Sequence, residues 1–260
     1  MRAILVAGVS LFTIACGGTT GSGLVTFSGV ASGPSDVSDG SVSFTSGAGA
    51  DITLTKAQMH LGAVYLNQSV PSSGAAAEPC ISPGIYVAEV FGPLDVDLLS
   101  GSPVHFPTTG EGTETEAKTA EVWLTNGDVN AKEDPTVIFD VEGTAVQAGQ
   151  TYPFRASITI GSNRTPKVTN AALPSANPVC HKRIVSPILV DITPTAGGAL
   201  VLEIDPRHMF NGVDFSQATK VSDAPVAYQI PDTSAGPGGA LFKGMTSNAG
   251  VYAFSWKSGR

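Results

Sequence analysis

From Leu24 onward the chain alternates apolar and polar positions with the two-residue period of a strand that buries one face. Runs of this kind cover 24–30, 41–45, 52–66, 86–91, 96–99, 120–124, 137–146, 152–160, 184–192, 200–204, 226–230 and 251–256. They are rich in β-branched and aromatic side chains, which pack well on a pleated surface. Gly, Pro, Asn and Asp punctuate the gaps. Within 52–66 the phase changes: Ile52 and Leu54 share one parity, while Ala57, Met59, Leu61, Ala63 and Tyr65 share the other. A one-residue slip turns every side chain to the opposite face, so a β-bulge near Lys56 is expected. Helical signals are few. Asp205-Pro206-Arg207 reads as an N-cap followed by proline at the first helical position, opening one or two turns that end near Asn211-Gly212. Residues 240–245 read as another turn. The pattern therefore predicts an all-β fold, an antiparallel β-sandwich of about a dozen strands with one or two short helical turns, in a single domain over 24–260. Residues 67–83 and 100–118 read as long loops, and 31–40 as turn-rich. Such loops on a rigid sheet are common places for binding sites.

Residues 1–15 follow a different logic. Arg2 precedes an uncharged, mostly apolar run, Ala3–Ile14. The run is shorter than the roughly 20 residues that span a bilayer, but it suits the apolar region of a signal peptide. Small Ala15 then precedes Cys16. This resembles the lipobox of bacterial lipoproteins, in which the cysteine is lipidated and becomes the new N-terminus. Gly17–Gly23, GGTTGSG, reads as a flexible tether. The residue after the cysteine is Gly17, and the resemblance implies the outer membrane because Asp there favours inner-membrane retention. The expected organisation is a signal peptide at 1–15, a lipidated cysteine and tether at 16–23, and a domain anchored to the membrane by its lipid.

The chain has three cysteines, and with Cys16 lipidated, Cys80 and Cys180 remain. In an oxidising envelope two cysteines most simply pair. Such a disulfide would close a loop of about a hundred residues and contribute roughly 2–4 kcal/mol. A thiolate metal site is the alternative, but the wide spacing matches no zinc motif.

Composition narrows the function classes. Charged residues make up only 14% of the chain, against about 25% on average. That disfavours a coiled coil or a long-helix bundle. The 30 glycines and 18 prolines in 260 residues fit a turn-rich β protein. A net charge of −8 without a basic cluster repels phosphate backbones, which argues against nucleic acid as a partner. There is no G-x-S-x-G elbow, H-E-x-x-H helix or phosphate-binding G-x-x-x-x-G-K-[ST] loop. The stretch Asn126–Asp134 resembles the start of a calcium loop, with Asp128 and Asn130 as ligands. Lys132 and Glu133 then break the coordination pattern.

The four histidines are His60, His105, His181 and His208. Strand positions can bring remote imidazoles together, so His60, His105 and His208 are candidate ligands for Cu or Zn. Met59 and Met209 each flank one of them, and thioethers suit Cu(I). No H-x-H or H-x3-H spacing is present, and lone histidines are most often satisfied surface or half-buried residues. Trp123 and Trp256 are candidate stacking platforms, although Val122 and Leu124 share one face and Trp123 takes the other, which favours packing. Asn163-Arg164 and Arg183 could bind an anion.

The phrases VDLL (96–99), EVWLTNGDVNA (121–131), CHKRIVSPILVDI (180–192) and GVYAFSW (250–256) resemble those of uncharacterised β-rich lipoproteins of Gram-negative bacteria. The resemblance implies the compartment and an all-β fold and carries over no site residues. The expected function is a lipid-anchored cell-envelope protein that is not an enzyme. It would act as a binding or structural module, with the membrane and possible envelope proteins as partners. The alternative is a periplasmic-side Cu- or Zn-binding protein using the histidines.

Overall fold

A computed structural model describes residues 23–37, 40–70, 85–126, 133–161 and 182–259. The signal peptide, Cys16, the tether to residue 22, Cys80, Cys180 and His181 lie outside the described residues, as do Asp128, Asn130, Lys132 and Asn163-Arg164.

The organising element is β3 (Asp51–Asn67), a strand of 17 residues. One edge of it pairs with β2 (Val42–Thr45) and then with β4 (Tyr86–Asp97). The other edge pairs with β8 (Asp134–Gln147) over its first half and with β7 (Ala117–Trp123) over its second. Between Leu54 and Lys56 the register against β8 slips. This is the extra residue that the phase change demanded: Ile52 and Leu54 stay buried before it, and Ala57, Met59 and Leu61 after it. β7 and β8 follow one another along the same edge of β3, and the backbone just after β7 passes close to Gly62. A Cβ on Gly62 would sit 2.3 Å from the carbonyl carbon of Thr125, so only glycine permits that backbone approach.

From β8 the sheet continues through β9 (Gln150–Ile160) to β13 (Val226–Gln229) and β12 (Thr219–Asp223). From β4 it continues through β6 (Gly110–Thr113), β1 (Leu24–Ser32) and β11 (Ala199–Ile204) to β14 (Tyr252–Lys257). The short β5 (Val104–His105) pairs with β1, and β10 (Ile184–Ile192) with β7. These 14 strands form one sheet that does not close, although Asn248 Nδ2 before β14 donates to the carbonyl of Pro187 in β10 at 2.8 Å.

The all-β expectation holds in its broad form: 57% of the described residues are strand. A purely antiparallel arrangement does not. β1 runs parallel to β11, and β9 runs parallel to β13. Alternation reports which side chains face the core; strand direction comes from long-range connections that alternation does not encode. The run 86–91 and the start of the run 96–99 are one strand ending at Asp97, because Gly92 and Pro93 are absorbed where the register slips opposite Leu61 to Ala63, and Leu98-Leu99 form a turn. The segment 100–118 holds β5, β6 and the first residues of β7 instead of being a continuous loop.

A single apolar core lies beneath the sheet. It is closed by α1 (Gly236–Met245), which buries Leu241, Phe242 and Met245, and by two 3-10 turns, Pro206–Phe210 and Phe215–Gln217. Asp205 caps the first turn, its carboxylate accepting from the amide of Arg207 at 2.9 Å, as the Asp-Pro signal predicts. The turn delivers Phe210 into a ring of aromatics, with centroids 5.9 Å from Phe44, 5.9 Å from Phe154 and 6.5 Å from Phe139. No helix among the described residues is long and apolar enough to cross a membrane.

Candidate functional site

The three described histidines are placed on separate elements. His60 projects from β3, with Nδ1 2.7 Å from Asp95 Oδ1 of β4. His105 is exposed on β5, opposite Val30 of β1. His208 sits in the 3-10 turn against Gly250. Among the described residues no three His, Cys, Asp or Glu side chains gather closely enough to hold a metal ion. Nor do the methionines assist: Met59 and Met209 are buried in the core. Strand alternation turns Met59 inward and His60 outward, so sequence neighbours there serve opposite faces.

The sheet assembles a different constellation along the second half of β3, where burial passes from the phase of Met59 and Leu61 to that of Val64 and Leu66 and leaves Tyr65 half-buried, against the expectation that it shares the core-facing phase. Tyr65 lies opposite Glu89 of β4 on one side and Glu121 of β7 on the other. Glu89 in turn lies opposite Glu111 of β6, and Glu111 opposite Thr26 of β1. Directly paired residues share a face, so Thr26, Glu111, Glu89, Tyr65 and Glu121 form one cross-strand row. The next row carries Phe91, Ala63 and Trp123. The rings meet around Tyr65, whose centroid is 5.2 Å from that of Tyr86, 5.9 Å from Phe91 and 5.0 Å from Trp123.

One half of this face is saturated. The Glu121 carboxylate is fully buried and accepts from Trp123 Nε1 at 3.2 Å, Tyr86 Oη at 3.3 Å and Ser186 Oγ at 3.4 Å. Burial, and then the charge of Glu121, push the Tyr86 hydroxyl well above its usual range, so it stays a donor. The guanidinium of Arg183, also buried, lies 4.6 Å above the Trp123 ring, in cation–π geometry. Arg183 is thus part of the internal packing, and Trp123 is half-covered.

The other half is open. A cleft of about 650 Å3 runs beside β1, β4 and β6, lined by Leu24, Thr26, Tyr86, Glu89, Glu111 and Thr113. Burial, and next the charge of Glu111, raise the Glu89 carboxyl above its usual value. None of the ion pairs among the described residues includes Glu89 or Glu111. Two opposed carboxylates, an aromatic ring and an aliphatic rim have the chemistry that complements a positively charged group with an apolar part.

Sequence reasoning did not single out Glu89, Glu111 or Tyr86, and it named Tyr65 only for its alternation phase. A signal was nevertheless present: Glu89-Val90-Phe91 and Glu121-Val122-Trp123 each place a carboxylate and an aromatic two apart, hence on one face of a strand. No protein family, curated protein or solved structure matches the chain.

Proposed function

We propose that the chain is a lipid-anchored cell-envelope protein whose β-sandwich-type scaffold is a non-enzymatic binding module, and that the Glu89–Glu111 cleft takes a ligand bearing an ammonium or guanidinium group. The observation that carries this is the Glu89–Glu111 carboxylate couple, which no cation among the described residues pairs. Like charges placed directly opposite one another in a sheet are unfavourable, and a bound cation converts that repulsion into attraction. The ring of Tyr86 adds a surface for cation–π contact, and Leu24 adds apolar cover. Anchorage rests on the signal-peptide pattern and Cys16, and the staple on Cys80 and Cys180.

The test is an NMR titration of the protein at low salt with n-butylammonium, n-butylguanidinium and, as a control, butyrate. The two cations are expected to move the amide signals of 86–89 and 110–113, and the Glu89→Gln/Glu111→Gln double variant to lose that response. An equal response to butyrate, or none to either cation, overturns the assignment. Anchorage has its own test: Cys16→Ala is expected to leave the membrane fraction, and its retention there refutes lipidation at this residue.

A further inference from the structure

Several strand ends meet at one rim of the sheet. β1 begins at Leu24, opposite Thr113, where β6 ends. β4 begins at Tyr86, opposite Asn67, where β3 ends, and the amide of Gln68 donates to the carbonyl of Ile85 at 2.9 Å. Large exposed apolar side chains are spread along this rim, from β1 through β4 and β3 to β10. Leu24 is 89% exposed, Ile85 63% and Val70 55%. Leu189 of β10, 75% exposed, lies opposite Thr119, in the row that continues to Asn67. Exposed apolar residues scattered singly are ordinary, whereas a group of them marks a contact surface.

The chain's own length says what that contact is. Only seven residues, 17–23, separate Cys16 from Leu24. Fully extended they reach at most about 25 Å, so a lipid on Cys16 keeps this rim close to the bilayer. We infer that the rim bearing Leu24, Val70, Ile85 and Leu189 rests on the lipid surface into which the anchor inserts, an inference that depends on the anchorage proposed above. Charge selects the kind of surface. Lys118 pairs with Glu116 and lies 3.6 Å from Asp191, and Glu114, whose amide donates to the carbonyl of Gly23 at 2.9 Å, adds a further negative charge beside Leu24. The rim is therefore net acidic, and it favours zwitterionic over anionic headgroups.

The experiment uses the full acylated protein in phosphatidylcholine vesicles containing brominated acyl chains. Leu24→Trp and Ile85→Trp are compared with Val146→Trp, an exposed apolar site opposite Asp51 at the far end of β3. The emission added by the two rim tryptophans is expected to be largely quenched, and that added at Val146 to be unaffected. Mixing in phosphatidylglycerol at low salt should weaken the quenching. Acylated protein with unquenched rim tryptophans overturns the seating alone. A protein whose N-terminal peptide lacks acyl mass overturns the anchor, and the seating with it. Stronger quenching with phosphatidylglycerol overturns the charge argument.

Discussion

Replacing Glu89 by Gln preserves side-chain size and removes one charge from the Glu89–Glu111 couple. Directly opposed like charges in a sheet destabilise by about 0.2–1 kcal/mol. In a domain of this size 1 kcal/mol moves the melting temperature by about 2–4 °C, so Glu89→Gln should melt up to about 4 °C higher than the parent at neutral pH. The pH dependence follows from the direction of the Glu89 shift, which burial and then Glu111 carry above the ordinary 4.5. A carboxyl whose folded value is raised favours the folded state fully below its unfolded value, and that advantage is lost as pH rises through the folded value. The cost of the charged couple is thus absent in acid and present at neutrality, and the gain from Glu89→Gln should fade as pH drops below 4.5. At 1 M salt, where the Debye length falls to about 3 Å, the neutral-pH gain should shrink. Thermal unfolding followed by circular dichroism at acid and neutral pH, in low and high salt, measures all of this. A gain of equal size at both pH values, or no gain at neutral pH, refutes the reasoning. The stabilised variant should also respond less to butylammonium, because the same repulsion that weakens the fold prepares the cleft for a cation.

Two further predictions concern the scaffold. Phe210→Ala empties the centre of the aromatic cluster and should lower stability by about 3–5 kcal/mol in urea titration; a loss below about 1 kcal/mol would contradict the packing described. Gly62→Ala forces a Cβ against the backbone of Thr125 and should cost about 1–3 kcal/mol or more, so a variant as stable as the parent would refute the close approach.

Much of the architecture was legible because alternation is a local signal. The slip near Lys56 follows from parity alone, and the N-cap at Asp205 follows from three consecutive residues. Strand direction was not legible, since the parallel pairing of β1 with β11 joins segments far apart in the chain. The site was harder still. Glu89 sits in a strand and Glu111 in a stretch that reads as a loop, and only the β4–β6 pairing sets them opposite each other. The segment 100–118 was marked as a binding region because it looked irregular. It lines the proposed cleft through β6, a short strand whose glycines weaken its hydrophobic pattern. The histidines share no spacing that would gather them, and alternation alone separates His60 from Met59.

The β1–β11 pairing also bears on how the chain acquires its structure. Ser28 finds its partner only at Ala199, so the first strand cannot be completed on that edge until most of the polypeptide has been made. Pairings of such high sequence separation form slowly because a long loop must close first. Truncation before Ala199 would leave the bare edge of β1 as a template for aggregation.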